Sequence, residues 1–270
     1  MRTINERFIN DLQSQHLKFF LQEVKNNQNL CLEVRRNYIN IYYRGGNLLK
    51  IEQQKKGYTF EFDSRYCLNK GNDANHVLLD SLSKKDASLY EKHFKLMISE
   101  MDEWFLLNPK AEREFQHHLL IANKNIIDIE YQFANSSRFD TLMLHENKLI
   151  IVEIKYGSKS ISRGSGLAKH YLDICNAISD DKKREELWQS ANFISDAKYK
   201  LGLRASTINL TKDTEIEILF IFANYNKKSK TISNEIKLIN KQYDAKILFM
   251  EKDETVINYN AAEDLFSYGS

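Results

Sequence analysis

The chain has 270 residues, of which 42% are hydrophobic and 28% are charged, and its formal net charge is +2 at pH 7. This composition is typical of a folded globular protein and excludes a disordered tail, a collagen-like chain and a Pro-rich linker. The length suffices for one large domain or two smaller ones. The net charge is too small to identify a nucleic-acid-binding protein by itself, so the local distribution of charge matters more.

Cysteine usage and hydropathy both indicate a cytoplasmic protein. Cys31, Cys67 and Cys175 lie far apart, which fits neither a zinc site nor a disulfide framework. The first residues contain no apolar stretch of the kind that a signal peptide requires. The longest apolar runs, such as Ile218–Ala223, have the length of a strand and are too short to cross a bilayer. We therefore expect reduced thiols and no membrane partner.

Residues 1–83 are predicted to form a small α+β module. Apolar residues at helical spacing predict a helix over Ile4–Val24. Short runs rich in β-branched and aromatic residues follow and predict an antiparallel meander: Leu30–Arg35, Tyr38–Tyr43, Asn47–Ile51 and Tyr58–Phe62. Basic and aromatic residues alternate in these runs. That alternation is typical of a half-exposed sheet face, and nucleic-acid or partner binding is the alternative interpretation.

Residues 84–270 are predicted to form an α/β domain with a mixed sheet flanked by helices. Three strands form a meander, and a helical crossover leads to further strands. The predicted helices are Ala87–Phe105, Ala111–Ala122, Leu167–Ile178, Lys183–Leu203 and Ser233–Tyr243. The predicted strands are Ile126–Phe133, Phe139–Leu144, Leu149–Lys155, Glu215–Ala223 and Ala245–Met250.

Charged residues stand at the ends of two of these strands, which a turn at positions 146 and 147 connects. The turn pairs His145 with Lys148, and the same register places Asp140 opposite Glu153. Lys155 projects from the same face, because it lies two residues beyond Glu153. Opposed carboxylates repel each other and therefore require a cation between them. Two carboxylates and a lysine on one spot indicate metal-assisted chemistry on phosphate esters.

The alternative is a surface strand pair whose charges are merely solvated, since Glu-x-Lys alone is a very common sequence on strands. The apolar run Leu149–Val152 argues against it, because this run predicts a central strand, where unpaired charges are costly.

The segment from Ala111 to Met250 resembles the core of the PD-(D/E)XK nuclease superfamily. The resemblance rests on the helix, the three-strand meander and the spacing Asp140-x12-Glu153-x-Lys155. The family's proline is absent, since Phe139 precedes Asp140. The resemblance implies a restriction-endonuclease-like fold and metal-dependent hydrolysis of phosphodiester bonds, with DNA as the favoured substrate.

The same resemblance implies roles for individual residues. Asp140 and Glu153 would bind Mg²⁺ or Mn²⁺, and the backbone carbonyl of Ile154 would add a ligand. Lys155 would orient the attacking water or neutralise charge on the phosphate. Many members supply a further glutamate from the preceding helix, which predicts Glu112 as a catalytic residue and metal ligand here. Glu114 is the rival for that role, and Gln116, one turn further along the helix, would bind water or nucleic acid.

A basic segment follows the predicted site. Between Ile154 and Leu172 the chain contains basic residues and histidine but no acidic residue. We predict Lys159, Arg163, Lys169 and His170 as contacts to a nucleic-acid backbone. A solvated loop without such contacts is an equally plausible interpretation.

Other functions remain open at this stage. The chain is alternatively a catalytically inactive nucleic-acid-binding protein of the same fold. It is also a candidate for a homodimer, or for one subunit of a larger defence or restriction complex.

Overall fold

The computed structural model describes residues 1–14, 16–67, 87–133, 138–157, 161 and 166–268. The chain divides into two compact units. The first unit comprises residues 2–117 and 193–207, and the second comprises residue 1, residues 118–192 and residues 208–270.

The first unit contains an antiparallel sheet and helices. The strands are β1 (Leu30–Val34), β2 (Tyr38–Tyr43), β3 (Gly46–Gln54) and β4 (Gly57–Glu61), paired in that order. The helices are α1 (Glu6–Ser14), α2 (Lys18–Asn26), α3 (Ala87–Leu107) and the first half of α4 (Ala111–Ala122). The predicted meander is therefore confirmed. The single predicted N-terminal helix is instead two helices, because the chain turns at His16 and Leu17.

Aromatic side chains join α3 to the N-terminal sheet. The ring of Phe20 lies 5.1 Å from that of Tyr90 and 5.8 Å from that of Phe94, centroid to centroid, and 5.9 Å from Phe60 of β4. Tilted and edge-to-face pairs at such distances add to the stability from buried area. Helix α3 therefore packs within the first unit, whereas the sequence placed it with residues 84–270. The predicted boundary near residue 83 itself lies outside the described residues.

Glu33 forms a buried ion pair in the first unit. Only 1% of Glu33 is exposed, and Lys198 donates to both of its carboxylate oxygens at 2.9 and 2.8 Å. Arg35 stands 3.9 Å from the same carboxylate. Because a buried carboxylate without a partner is very costly, Lys198 stabilises this part of the unit.

The turn between β2 and β3 requires glycine at position 45. Gly45 has a φ of +76°, a conformation that side chains disfavour. A Cβ atom there would lie 2.7 Å from Cγ of Arg113 and 2.8 Å from its backbone oxygen. Any side chain would therefore collide with α4.

The second unit is built on a six-stranded mixed sheet. Its strands are β5 (Ile126–Gln132), β6 (Arg138–His145), β7 (Lys148–Tyr156), β8 (Ile216–Ala223), β9 (Ala245–Met250) and β10 (Glu263–Asp264). The spatial order is β10-β9-β8-β7-β6-β5. Strands β7, β8 and β9 run parallel, and the other pairs are antiparallel. The helices are the rest of α4, α5 (Leu167–Ser179), most of α6 (Asp181–Lys200) and α7 (Lys230–Lys237). The predicted mixed sheet flanked by helices is confirmed, and β10 was not predicted.

Strands β7 and β8 form the centre of this sheet. Each contains a continuous apolar run, and these runs, Leu149–Val152 and Ile218–Ala223, are completely buried. Such runs are typical of strands that are covered on both faces. A charged residue within β7 therefore sits in the interior of the unit.

A network of charged side chains lies where the parallel strands β7 and β8 begin. The carboxylate of Glu217, the second residue of β8, accepts hydrogen bonds from Lys148 and from the Tyr259 hydroxyl. Burial opposes ionisation, but these donors outweigh it and hold the pKa of Glu217 below its usual range. The network connects the C-terminal segment to the sheet.

Candidate active site

The β6–β7 hairpin has the register that the turn predicts. His145 pairs with Lys148, and the pairing continues to Thr141 and Val152. The recorded pairs end there, and the same register extended by one position sets Asp140 against Glu153, at the open end of the hairpin. Residues opposed in this way share one face of the sheet, with Cβ atoms roughly 5 Å apart.

Glu153 and Lys155 are almost completely buried, with 4% exposure each. The Lys155 ammonium donates to Oε1 of Glu153 at 3.0 Å. Nδ1 of His170, from the first turn of α5, lies 2.8 Å from the same oxygen. Burial alone would raise the pKa of Glu153, but His170 and Lys155 outweigh it and lower this pKa. Glu153 therefore keeps its negative charge at neutral pH.

Asp140 is held by the backbone of the facing strand. The Ile154 N–H donates to its Oδ2 at 2.9 Å. Burial and then the charge of Glu153 raise the pKa of Asp140 to about 7, against the opposing effects of the Ile154 N–H and Lys155. The two carboxylates therefore compete for the positive charge available at this end of the hairpin.

The remaining carboxylate oxygens suit a metal ion. Within the described residues, Oδ1 of Asp140 and Oε2 of Glu153 accept no hydrogen bond. Mg²⁺ prefers hard oxygen ligands, needs one or two carboxylates and keeps several waters. The donor set of Asp140 and Glu153 therefore fits such an ion. The main chain of Ile154 also lies at the site through its N–H, and its carbonyl as a ligand stays a prediction.

A further acid on this sheet face was not predicted. Asp128 of β5 is fully buried and pairs with Leu142 of β6. Leu142 lies two residues from Asp140, so Asp128 and Asp140 share one face. One oxygen of Asp128 accepts the Ile129 N–H at 2.9 Å. The signal was present in the sequence, since an aspartate interrupts the apolar start of this strand. Even so, the described part of the chain contains no group of three His, Cys, Asp or Glu side chains that could hold a metal.

The predicted residues of α4 belong to the first unit. Glu112 is exposed in the first turn of the helix, and Gln116 is half-buried. Glu114, the rival of Glu112, pairs with Arg44 at 3.3 Å. The roles of Glu112 and Gln116 stay predictions.

The predicted basic contacts divide into two groups. Lys159 and Arg163 lie outside the described residues. Lys169 is exposed on α5 and pairs with Asp173 one turn away at 2.7 Å, while His170 contacts Glu153. The first turn of α5 is thus adjacent to the carboxylate site, and contact with a nucleic acid stays a prediction for all four residues.

No family model, curated protein or solved structure is significantly similar to this chain. Among the helices in the described ranges, none is long and apolar enough to span a bilayer.

Proposed function

We propose that the protein is a Mg²⁺- or Mn²⁺-dependent nuclease with a restriction-endonuclease-like second unit. It hydrolyses phosphodiester bonds, and DNA is the favoured substrate. The observation that carries this proposal is the set of Asp140, Glu153 and Lys155 on one face at the open end of the β6–β7 hairpin.

The burial of Glu153 and Lys155 argues for a functional role. Transfer of a carboxylate and an ammonium group into the interior costs several kcal/mol for each ion, and mutual attraction often fails to repay it. Two hydrophobic side chains would fill the positions of Glu153 and Lys155 in the central strand β7 equally well. The repulsion between the carboxylates adds to the cost, since the charge of Glu153 helps to raise the pKa of Asp140. A bound cation would remove this cost.

Each side chain has a role that its position supports. Asp140 and Glu153 would hold the metal, which supplies a polarised phosphoryl oxygen and an activated water. Lys155 places a positive charge on the same face, where it would neutralise charge that develops on the phosphate. His170 contacts Glu153 and so orients its carboxylate. Glu112 is proposed as a further acid, and Lys159, Arg163, Lys169 and Gln116 as contacts to the nucleic acid.

A second candidate is an inactive nucleic-acid-binding protein with the same fold. One observation favours it: Lys155 and His170 both contact the carboxylate of Glu153, and the described residues assemble no third ligand. Metal binding distinguishes the two, because only the nuclease should be stabilised by Mg²⁺ or Mn²⁺. A homodimer, or a complex with other defence or restriction proteins, is compatible with both.

The test is cleavage of plasmid, single-stranded DNA and RNA with Mg²⁺ or Mn²⁺. Asp140→Asn and Lys155→Met keep the size of the side chain and remove one charge each. Asp253→Asn and Lys252→Met make the same changes at exposed positions of the same unit. We expect metal-dependent cleavage that both site variants lose and both control variants retain. Undiminished cleavage by Asp140→Asn would contradict the proposal, and metal-independent binding without cleavage would favour the inactive protein.

A further inference from the structure

A cleft in the second unit lies between α6 and the segment that precedes β8. It has a volume of about 450 Å³. Residues spaced by three and four along α6 line one wall, among them Arg184, Trp188 and Asn192, and Leu210 and Lys212 line the other. Ligand pockets generally span roughly 300–1,000 Å³, so this cleft could enclose a small organic molecule.

The cleft is held in shape by hydrogen bonds across it. The Asn192 side-chain amide donates to the Leu210 carbonyl at 2.8 Å, and the Leu210 N–H donates back to the amide oxygen at 2.8 Å. The Thr211 N–H donates to the Thr214 hydroxyl at 2.9 Å and closes the adjacent turn. A wall fixed in this way costs little conformational entropy when a ligand enters.

Hydrogen-bond donors without acceptors line the cleft. Trp188 is 7% exposed, and its buried Nε1–H has no partner in the described structure. The buried Nε–H of Arg184 also lacks one, and the guanidinium lies 5.6 Å from the Trp188 ring centroid. Indole and guanidinium groups are donors only, and a buried donor without an acceptor is destabilising. The missing partners are therefore acceptor oxygens.

Arg184 is free to exchange its present partner for a ligand. It contacts Asp181, whose side chain is 87% exposed, and an ion pair at the surface contributes little to stability. The guanidinium lies over the Trp188 ring, so its movement from Asp181 to a ligand would open space beside the indole. One incoming oxyanion could then accept from both donors.

The charges around the cleft select the type of anion. Lys212 is exposed and makes no ion pair within the described ranges, so it adds a positive charge to that of Arg184. Asp181 and Glu185 contribute two negative charges to the same lining. This balance suits one oxyanion group and disfavours the closely spaced charges of a polyanion such as DNA. Leu210 and the Trp188 ring offer apolar surface to the rest of the ligand.

We propose that this cleft binds a small organic acid in which one carboxylate or phosphate group is attached to an apolar body. The oxyanion accepts hydrogen bonds from Trp188 and Arg184, and Lys212 contributes long-range attraction. The site is separate from the Asp140 and Glu153 site and does not depend on nuclease activity.

The test is a titration followed by tryptophan fluorescence. The chain has two tryptophans, so Trp104→Phe leaves Trp188 as the only reporter. Benzoate and phenyl phosphate are titrated in a buffer free of carboxylates and phosphate, and benzyl alcohol serves as the uncharged control. We expect a saturable change with at least one anion and none with the alcohol. The preferred anion then identifies the oxyanion as carboxylate or phosphate.

Variants of the lining residues test whether the anion binds in this cleft. Arg184→Gln should weaken it by roughly ten- to a hundredfold, because a hydrogen bond to a charged group contributes about 1.5–3 kcal/mol. Trp188→Phe, measured by calorimetry, should weaken it by roughly tenfold. Lys252→Gln, away from the cleft, should leave the affinity unchanged. The proposal is overturned if neither anion saturates, if benzyl alcohol binds equally well, or if Arg184→Gln binds as tightly as the parent protein.

Discussion

Asp140→Asn should stabilise the metal-free protein at alkaline pH, although the residue is part of the proposed active site. The pKa of Asp140 rises from an ordinary 3.8 to about 7 in the folded chain. The folded state therefore binds more protons than the unfolded state between these pH values, and stability falls as the pH rises through this window. At about 1.4 kcal/mol for each pH unit, the ionised carboxylate costs about 4 kcal/mol above pH 7.

Asparagine does not titrate, and it can still accept the Ile154 N–H. The variant and the parent protein should be nearly equally stable at pH 4, where Asp140 is protonated in the folded state. At pH 8 the variant should be more stable by about 1–4 kcal/mol. The lower value allows for imperfect packing of the new amide.

Urea denaturation in the presence of EDTA measures this difference. Trp188 belongs to the same unit as Asp140 and Trp104 to the other, so the Trp104→Phe background reports the unit of interest. Asp253→Asn, at an exposed position, should show no such pH dependence.

Metal binding should reduce the difference in stability between the variant and the parent protein. Mg²⁺ at ten times its dissociation constant should stabilise the parent protein by about 1.4 kcal/mol and leave Asp140→Asn unaffected. A variant that is less stable than the parent at pH 8 in EDTA would refute the placement of Asp140 and Glu153 as crowded carboxylates.

Three further predictions concern stability, each measured by urea denaturation. Lys198→Met leaves the buried carboxylate of Glu33 without its main partner and should lower the free energy of unfolding by about 3–5 kcal/mol. A decrease of less than about 1 kcal/mol would contradict a buried ion pair. Gly45→Ala combines an unfavourable φ with a collision against α4, so it should lower the free energy of unfolding by more than Gly57→Ala does. Gly57 also has a positive φ but has open space around it. Equal decreases for the two variants would mean that the collision is absent. Glu217→Gln should lower the free energy of unfolding by about 1–3 kcal/mol at pH 7. Because the lowered pKa of Glu217 means that the folded protein stabilises the charged carboxylate, this decrease should become smaller as the pH falls below about 4.5. A decrease that does not depend on pH would show that the charge is not involved.

Helix α7 shows where local sequence signals were insufficient. The apolar spacing predicted a helix over Ser233–Tyr243, but the helix spans Lys230–Lys237. Its start is a local feature, because the Ser229 side chain accepts the Thr231 N–H. Its end is also local, since the N–H groups of Leu238 and Ile239 donate to carbonyls three residues earlier. The tertiary feature lies beyond the helix, where the Gln242 and Tyr243 N–H groups donate to the Tyr171 hydroxyl of α5 at 2.9 and 2.8 Å. A partner from another helix thus replaces the helical hydrogen bonds.

The sequence by itself determined the β6–β7 hairpin and its register. A two-residue turn sets the pairing, and the period of two then decides which residues share a face, so Asp140, Glu153 and Lys155 could be grouped without a structure. The apolar runs likewise predicted the central strands of the mixed sheet.

Only the tertiary structure decided how deeply those charges are buried and what neutralises them. The sequence suggested His170 as a phosphate contact, whereas the fold brings it to Glu153 from a separate helix. It also places Asp128 on the same sheet face as Asp140 and packs α3 against the N-terminal sheet. These contacts join residues far apart in the chain, and they depend on how whole elements pack, which the spacing of residues along a single helix or strand does not specify.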